Sequence, residues 1–357
     1  MFTLPPYTPP DFTRIQGRDA AFLPAPRDGV APEGYHALSI FPEYFKVAGD
    51  WRLLEESRMD CVPVLEADGR LTSREFRTLR KGDLVAVGRR EDGSEGIYVH
   101  AASFLRPDAT DDLFAFRVRR SREMAFSRDY DELTELLRHE REHGKIVWVL
   151  GPACAFDAGA RDAFAHLVKG GYVHAVLAGN ALATHDLEAG WLQTALGQNV
   201  YTQESMPLGH YNHLDLLNAV CGAGSIPAFL EKTGVTGGIV ASCVENQVPM
   251  VLVGSIRDDG PLPEVYANVY EGAAAMRDQI RGATTVLCLA TTLHAIATGN
   301  MTPSYRVRDG QVRPAYFYSV DISEFSLGKL HDRGSLGCKT LVTNVQDFIK
   351  EVASRLK

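Results

Sequence analysis

The densest charge cluster beside an apolar run is Arg257-Asp258-Asp259, which follows Met250 to Val253 and the small pair Gly254-Ser255. Two adjacent carboxylates oppose each other's ionisation, so burial can lift one pKa toward neutrality and make it a proton acceptor; left ionised, they bind an amine. Arg257 in the same turn can grip a carboxylate through two parallel hydrogen bonds. Such a set can bind an amine or take a proton. The same residues can also cap a helix or close a turn. His185-Asp186 offers a second base with a carboxylate neighbour, although adjacent side chains often diverge and Asp186 can equally serve as a cap. Asp258 and Asp259 are therefore the first candidates for proton transfer, with Arg257 on the substrate carboxylate and His185 as the reserve base.

Small and polar residues also close each apolar run. Gly151-Pro152 follows Val149-Leu150, Gly179-Asn180 follows Leu177-Ala178, and Asp321 follows Val320; Thr291, Thr292 and His294 follow Leu287 to Ala290. A dinucleotide needs backbone donors near its pyrophosphate and an acceptor for its ribose hydroxyls. Gly151, Pro152, Gly179, Asn180, Gly254 and Ser255 can line the first, and Asp321 can supply the second. Turn glycines explain the same residues without any ligand, and the GxGxxG fingerprint is absent. Neither a GxSxG elbow nor a P-loop occurs, which removes the commonest hydrolase and kinase readings.

His210 and His213 have a spacing that can ligate a metal, but no third ligand completes the set, and no metal is expected. Six cysteines are scattered without a CxxC pair. Cys243, near Glu245 and Asn246, reads as a buried structural thiol. A reducing cytoplasm suits that pattern.

Positioning these residues requires a particular set of elements. From Tyr35 to about Phe104 the sequence alternates short strands and turns, with Val62 to Leu65 and Leu84 to Val87 as strands and Asp68-Gly69 and Asp92-Gly93 as hairpin signals. Residues 1 to 34 read as an irregular, proline-rich lead-in. After the charged connection from Asp108 to Arg122 the pattern becomes helix and strand in alternation. Strands are expected at Lys145 to Leu150, Tyr172 to Ala178, Met250 to Val253, Thr285 to Ala290, Tyr316 to Val320 and Thr340 to Val342. Helices are expected behind a Ser127 cap, over Ala163 to Val168, over Tyr266 to Ile280 and behind an Asn344 cap. Doubly buried strands alternating with helices predict an α/β fold, a parallel sheet with ligands at its carboxyl edge. The division expected is 1–110 for the arm and small β-rich domain and 111–357 for the sheet domain.

A formal charge of −8 argues against nucleic acid or an anionic membrane as partner. No apolar stretch approaches the roughly 20 residues of a spanning helix, and the start lacks a signal-peptide pattern. A small-molecule substrate and a homo-oligomer are expected instead.

At these same segments the chain resembles the LOR/SDH family, named for lysine–ketoglutarate reductase and saccharopine dehydrogenase. LAGNALATHDLE (177–188), YNHLDLLNAV (211–220), VLVGSIRDDGPLPEV (251–265) and LATTLHAIATGNMTPS (289–304) look like its signature stretches. DGVAPEGYHA (28–37) and RKGDLVAVG (80–88) extend the likeness to the front. It covers nearly everything after residue 28. Phe156-Asp157-Ala158-Gly159 and residues 35–43 depart from the family pattern. The resemblance implies a Rossmann-like, deoxyhypusine synthase-like domain that holds NAD, preceded by a small domain. It includes archaeal-type ornithine cyclodeaminases, and so implies a lyase reaction: hydride leaves the α-carbon of L-ornithine, the imine is attacked by the δ-amine, ammonia departs, and the hydride returns to give L-proline. Two alternatives stand beside it, a net amino-acid or opine dehydrogenase and a non-catalytic NAD sensor.

Overall fold

A computed structural model describes residues 2–104, 127–256, 261–323, 327–328 and 338–357. In the front half each short apolar run becomes a strand: β1 (Ala21–Pro24), β2 (Glu43–Val47), β3 (Asp50–Leu53), β4 (Val62–Leu65), β5 (Leu71–Arg74), β6 (Leu84–Val87) and β7 (Ile97–Val99). They form two antiparallel sheets, in the orders β1-β6-β4-β5 and β3-β2-β7. Asp68-Gly69 turns the β4–β5 hairpin, with Gly69 at φ +82°. Asp92-Gly93 turns the chain back on β7, with the Gly93 amide donating to the Ile97 carbonyl at 2.8 Å and the Val99 amide to the Glu91 carbonyl at 3.0 Å, although it does not pair β6 with β7, which belong to different sheets. Nor is the lead-in wholly irregular. Ala21–Pro24 forms an edge strand on β6, a place where a proline costs no inner ladder bond.

The second half runs α1 (Ser127–His143), β8 (Ile146–Leu150), α2 (Ala158–Lys169), β9 (Ala175–Gly179) and α3 (Asn180–Leu192). A small hairpin, β10 (Thr194–Ala195) and β11 (Gln198–Asn199), leads to α4 (Asn212–Ala223), α5 (Ile226–Thr233) and α6 (Ile239–Glu245). Then come β12 (Met250–Val253), α7 (Val269–Ile280), β13 (Thr285–Leu289), α8 (Leu293–Met301), the hairpin β14 (Tyr305–Arg308) and β15 (Gln311–Pro314), β16 (Tyr316–Asp321), β17 (Cys338–Val342) and α9 (Val345–Arg355). Six of these strands form one parallel sheet in the order β12-β9-β8-β13-β16-β17. Counted within the sheet, that is the order 3-2-1-4-5-6, which reverses between β8 and β13.

Burial explains the parallel arrangement. Every residue of β8 and β13 is buried, as strands covered on both faces must be. Trp148, Phe164 and Phe348 pack on one face, and Met276, Ile280 and Phe317 on the other. Three expectations shift. The strand expected from Tyr172 starts at Ala175, because Tyr172 still bonds back to Leu167 in closing α2. The α7 stripe begins at Val269, capped by Asn268; Tyr266 instead exchanges bonds with Leu252 and Gly254 beside β12. Helix α1 includes Ser127 rather than starting after it. The 108–122 connection lies outside the described residues.

The front sheets are tied to the large one through buried polar groups. Arg306 donates to the carbonyls of Ala283 and Ile280 at 2.7 and 2.8 Å and to Glu56 at 2.8 Å. Tyr305 accepts from the Ser57 amide at 3.2 Å and donates to the Leu54 carbonyl. Among the described residues no helix is long and apolar enough to cross a membrane.

Candidate active site

At the reversal point the ends of β8 and β13 meet. The Gly151 amide donates to the Leu289 carbonyl at 2.8 Å, and a Cβ on Gly151 would stand 1.9 Å from the Ala290 carbonyl oxygen. Glycine is therefore demanded here by the approach of the two strands. Ala290 holds φ +48°, a left-handed conformation that alanine rarely adopts and that tends to persist at functional sites. Pro152 opens a short 3-10 turn toward Cys154 and Ala155.

Gly179 ends β9 and leads straight into α3. A Cβ there would lie 3.2 Å from His294 Cε1, so the first turn of α8 closes over the start of α3. Other helices at this edge are capped: α2 by Asp157 on the Ala160 amide at 2.7 Å, and α7 by Asn268 on the Tyr270 amide at 2.9 Å. Among the described residues, the starts of α3 and α8 carry no side-chain cap. Two helix starts with their first amides uncapped by side chains, converging beside a glycine, offer donors and positive dipole ends to a diphosphate. Ile256, Leu293 and Ile322 stand exposed just beyond β12, β13 and β16.

The expected nucleotide residues share this edge but differ in what they do. Asn180 is buried, and its Oδ1 accepts the Leu262 amide at 3.0 Å, so it pins the chain at Leu262 against the start of α3. The Gly254 amide is engaged by the Tyr266 carbonyl at 2.9 Å, and Ser255 follows it. Asp321 is half-buried at the end of β16, with Oδ1 accepting the Ser323 amide at 2.8 Å. Arg257, Asp258 and Asp259 lie outside the described residues.

His185 and Asp186 diverge. Asp186 accepts from Arg161 Nε at 2.8 Å and from the amides of Ile239 and Val240 at 3.0 and 2.8 Å. It thus caps α6, whose own cap position is Gly238 at φ +101° and has no side chain to offer. Its role is to bind three helices together. His185 turns the other way and places Nδ1 3.0 Å from Glu188 Oε2. Glu188 is completely buried and also accepts from Thr194 Oγ1 at 2.8 Å and the amides of Leu196 and Gly197 at 3.0 and 3.2 Å. Burial pushes its carboxyl up, but the His185, Thr194, Gly197 and Leu196 donors outweigh this and hold it below the usual range. Phe156 stands edge-on to the His185 ring at 5.6 Å, and His213 lies 6.4 Å away. His213 Nδ1 is buried without a hydrogen-bond partner among the described residues.

Glu188 was legible as the i+3 neighbour of His185 within THDLE, a spacing that brings side chains together on one helix face. In the sequence His213 reads only as a possible metal ligand, and among the described residues no three such groups gather around an ion site. Cys154 and Cys243 are buried and their thiols are pushed up to about 12, so they stay protonated.

The match to known proteins is extensive. Residues 131–352 match the family described as arginine dihydrolase ArgZ-like, C-terminal, Rossmann fold. The ornithine cyclodeaminase of Methanopyrus kandleri is 38% identical over 345 residues, 96% of this chain and 80% of the relative. The bifunctional arginine dihydrolase/ornithine cyclodeaminase AgrE of a Nostoc species is 31% identical over 95% of this chain and 47% of its own length. Among solved structures, a LOR/SDH protein from Methanococcus maripaludis superposes with a TM-score of 0.86 at 32% identity, covering 95% of this chain and 98% of the other. AgrE in ternary complex with ornithine and NAD+ superposes with a TM-score of 0.59 at 30% identity, covering 95% of this chain and 46% of that one.

Proposed function

This chain belongs to the ornithine cyclodeaminase family with the ArgZ-like C-terminal Rossmann fold, and on that premise we propose that it binds NAD at the β8/β13 crevice and converts L-ornithine into L-proline and ammonia. The observation that carries the reading is the pair of uncapped helix starts, α3 and α8, meeting at Gly179 and His294 on the carboxyl edge. NAD, when bound, supplies a hydride acceptor for the substrate α-carbon and returns the same hydride to the cyclised product.

The chain's own residues fit that group. Gly151, Pro152, Gly179, Gly254 and Ser255 would line the approach to the diphosphate, Asn180 would hold the chain at Leu262 beside it, and Asp321 would accept from ribose hydroxyls. Arg257 is assigned to the substrate α-carboxylate, where a bidentate contact fixes the α-carbon. Removing hydride from an amine requires its neutral form, so a base must take the ammonium proton; Asp258, Asp259 and His185 are the candidates.

Calorimetric titration with NAD, followed by ornithine with NAD present, tests the placement. Binding of both, with ornithine affinity dependent on NAD, supports it. A protein that binds neither overturns it.

A further inference from the structure

We infer that Glu188 is a positioning residue of the reaction: it fixes His185 with Nδ1 protonated, and so makes Nε2 the atom that takes the proton from the substrate ammonium. This rests on the cyclodeaminase reading above and deepens it by choosing among its candidate bases.

The chemistry of Glu188 leaves little freedom. Three donors besides His185 reach its two oxygens: the Thr194 hydroxyl and the amides of Leu196 and Gly197. A carboxylate so held is ionised at neutral pH and can only accept. The His185 nitrogen facing it at 3.0 Å must then carry the proton. In a neutral imidazole the other nitrogen is left as an acceptor, which is the arrangement of a histidine base oriented by a buried carboxylate. Because the donors come from the start of β10 and the turn that follows it, Glu188 cannot swing away when His185 becomes charged.

A buried histidine–glutamate pair can be purely structural, and this molecule holds one for comparison. His36 Nε2 lies 2.7 Å from Glu43, which also accepts from Ser39 and Ser57; both residues are sealed in the front domain. The His185 pair differs in two respects. His185 keeps 11% of its side chain exposed, and the neighbouring His213 buries Nδ1 with no partner among the described residues. An unsatisfied polar atom beside a partly open base points to a ligand that completes the cluster. Its location agrees, since Phe156, against the His185 ring, belongs to the segment that leaves β8 through Gly151-Pro152.

The step balances without any further reagent. The N–H bond of the α-ammonium breaks, an Nε2–H bond forms, and the imidazolium is stabilised by the Glu188 carboxylate. With the amine neutral, a bound NAD would accept the hydride from the α-carbon. When the nitrogen departs as ammonia it takes the stored proton back as ammonium, and His185 returns to its starting state; the δ-ammonium releases a proton to solvent before it attacks, and the ring nitrogen of proline takes one back.

The test uses the full-length protein with NAD, comparing wild type with Glu188→Gln and His185→Gln. Nitrogen-15 NMR of labelled histidine should show the Nδ1–H form of His185 in wild type at neutral pH, a readout independent of turnover. Glu188→Gln should keep NAD affinity, lower turnover by about 10- to 100-fold, and move the acidic limb of the pH–rate profile to lower pH, because the imidazolium loses its counter-charge. His185→Gln, which leaves the Glu188 donors in place, should keep NAD affinity and lose roughly 100-fold or more. An Nε2–H form in wild type, or an unchanged rate and pH profile in both variants, overturns the inference. If wild type makes no proline at all, the functional reading fails instead, and the NMR result still decides whether Glu188 sets the tautomer.

Discussion

The carbonyl oxygen of Ala290 occupies the place a side chain on Gly151 would need, 1.9 Å from where its Cβ would stand. The two residues end neighbouring strands at the point where the sheet order reverses, so any side chain must push β8 and β13 apart. Gly151→Ala is expected to cost about 1–3 kcal/mol of stability, the usual range for overpacking, and to weaken NAD binding together with it. Urea denaturation and calorimetry check both; a variant with wild-type values for each would mean that the crevice yields easily.

Asp186 should matter for stability and not for proton transfer. It accepts from Arg161 and from two α6 amides while fully buried. Removing one partner of such a pair strands the other, at a cost of about 3–5 kcal/mol. Asp186→Ala should therefore lower the denaturation midpoint severely, while the folded fraction keeps the wild-type shape of its pH–rate profile. A stable variant with a displaced pH profile would give Asp186 a chemical role.

Asp321 is the proposed ribose acceptor. Its carboxylate is half-buried at the end of β16, with one oxygen on the Ser323 amide. Asp321→Ala is expected to weaken NAD binding by about 1–3 kcal/mol, the value of charged hydrogen bonds lost from a site. Unchanged affinity in calorimetry would remove Asp321 from the cofactor contacts.

Acid stability should report on Glu188. Its carboxyl is held below the usual range in the folded chain. A depressed carboxyl contributes stability above its unfolded value, about 4.3, and loses it as pH falls through the folded value. Glu188→Gln should thus be less stable than wild type at pH 7, and the gap should narrow as pH drops below about 4. Denaturation midpoints across that window give the answer; a gap that widens in acid would contradict the sign.

Much of this was readable from the residues. The β8, β12, β13 and β16 runs were visible because strands buried on both faces appear as short unbroken apolar stretches. Helix α9 was visible from its Asn344 cap and its single apolar stripe. Helix α3 was not, although it carries His185 and Glu188. Nine of its thirteen residues are buried, polar ones included, so it shows no amphipathic period for the eye to find. Asp186 could not be separated from His185 by sequence, because its partners on α2 and α6 are 25 and 53 positions away. The role of Gly151 was readable as a turn; that its neighbour is the backbone of residue 290 required the fold.

The most direct test is to incubate the protein with NAD and L-ornithine carrying deuterium at the α-carbon, and to follow proline, ammonia and NADH absorbance together. Proline and ammonia should appear in equal amounts, NADH should not accumulate, and the proline should keep its deuterium, because the hydride leaves and returns at the same site. Steady accumulation of NADH with a 2-oxo product would identify a net dehydrogenase, and NAD binding without any product would identify a sensor; either result contradicts the cyclodeaminase account.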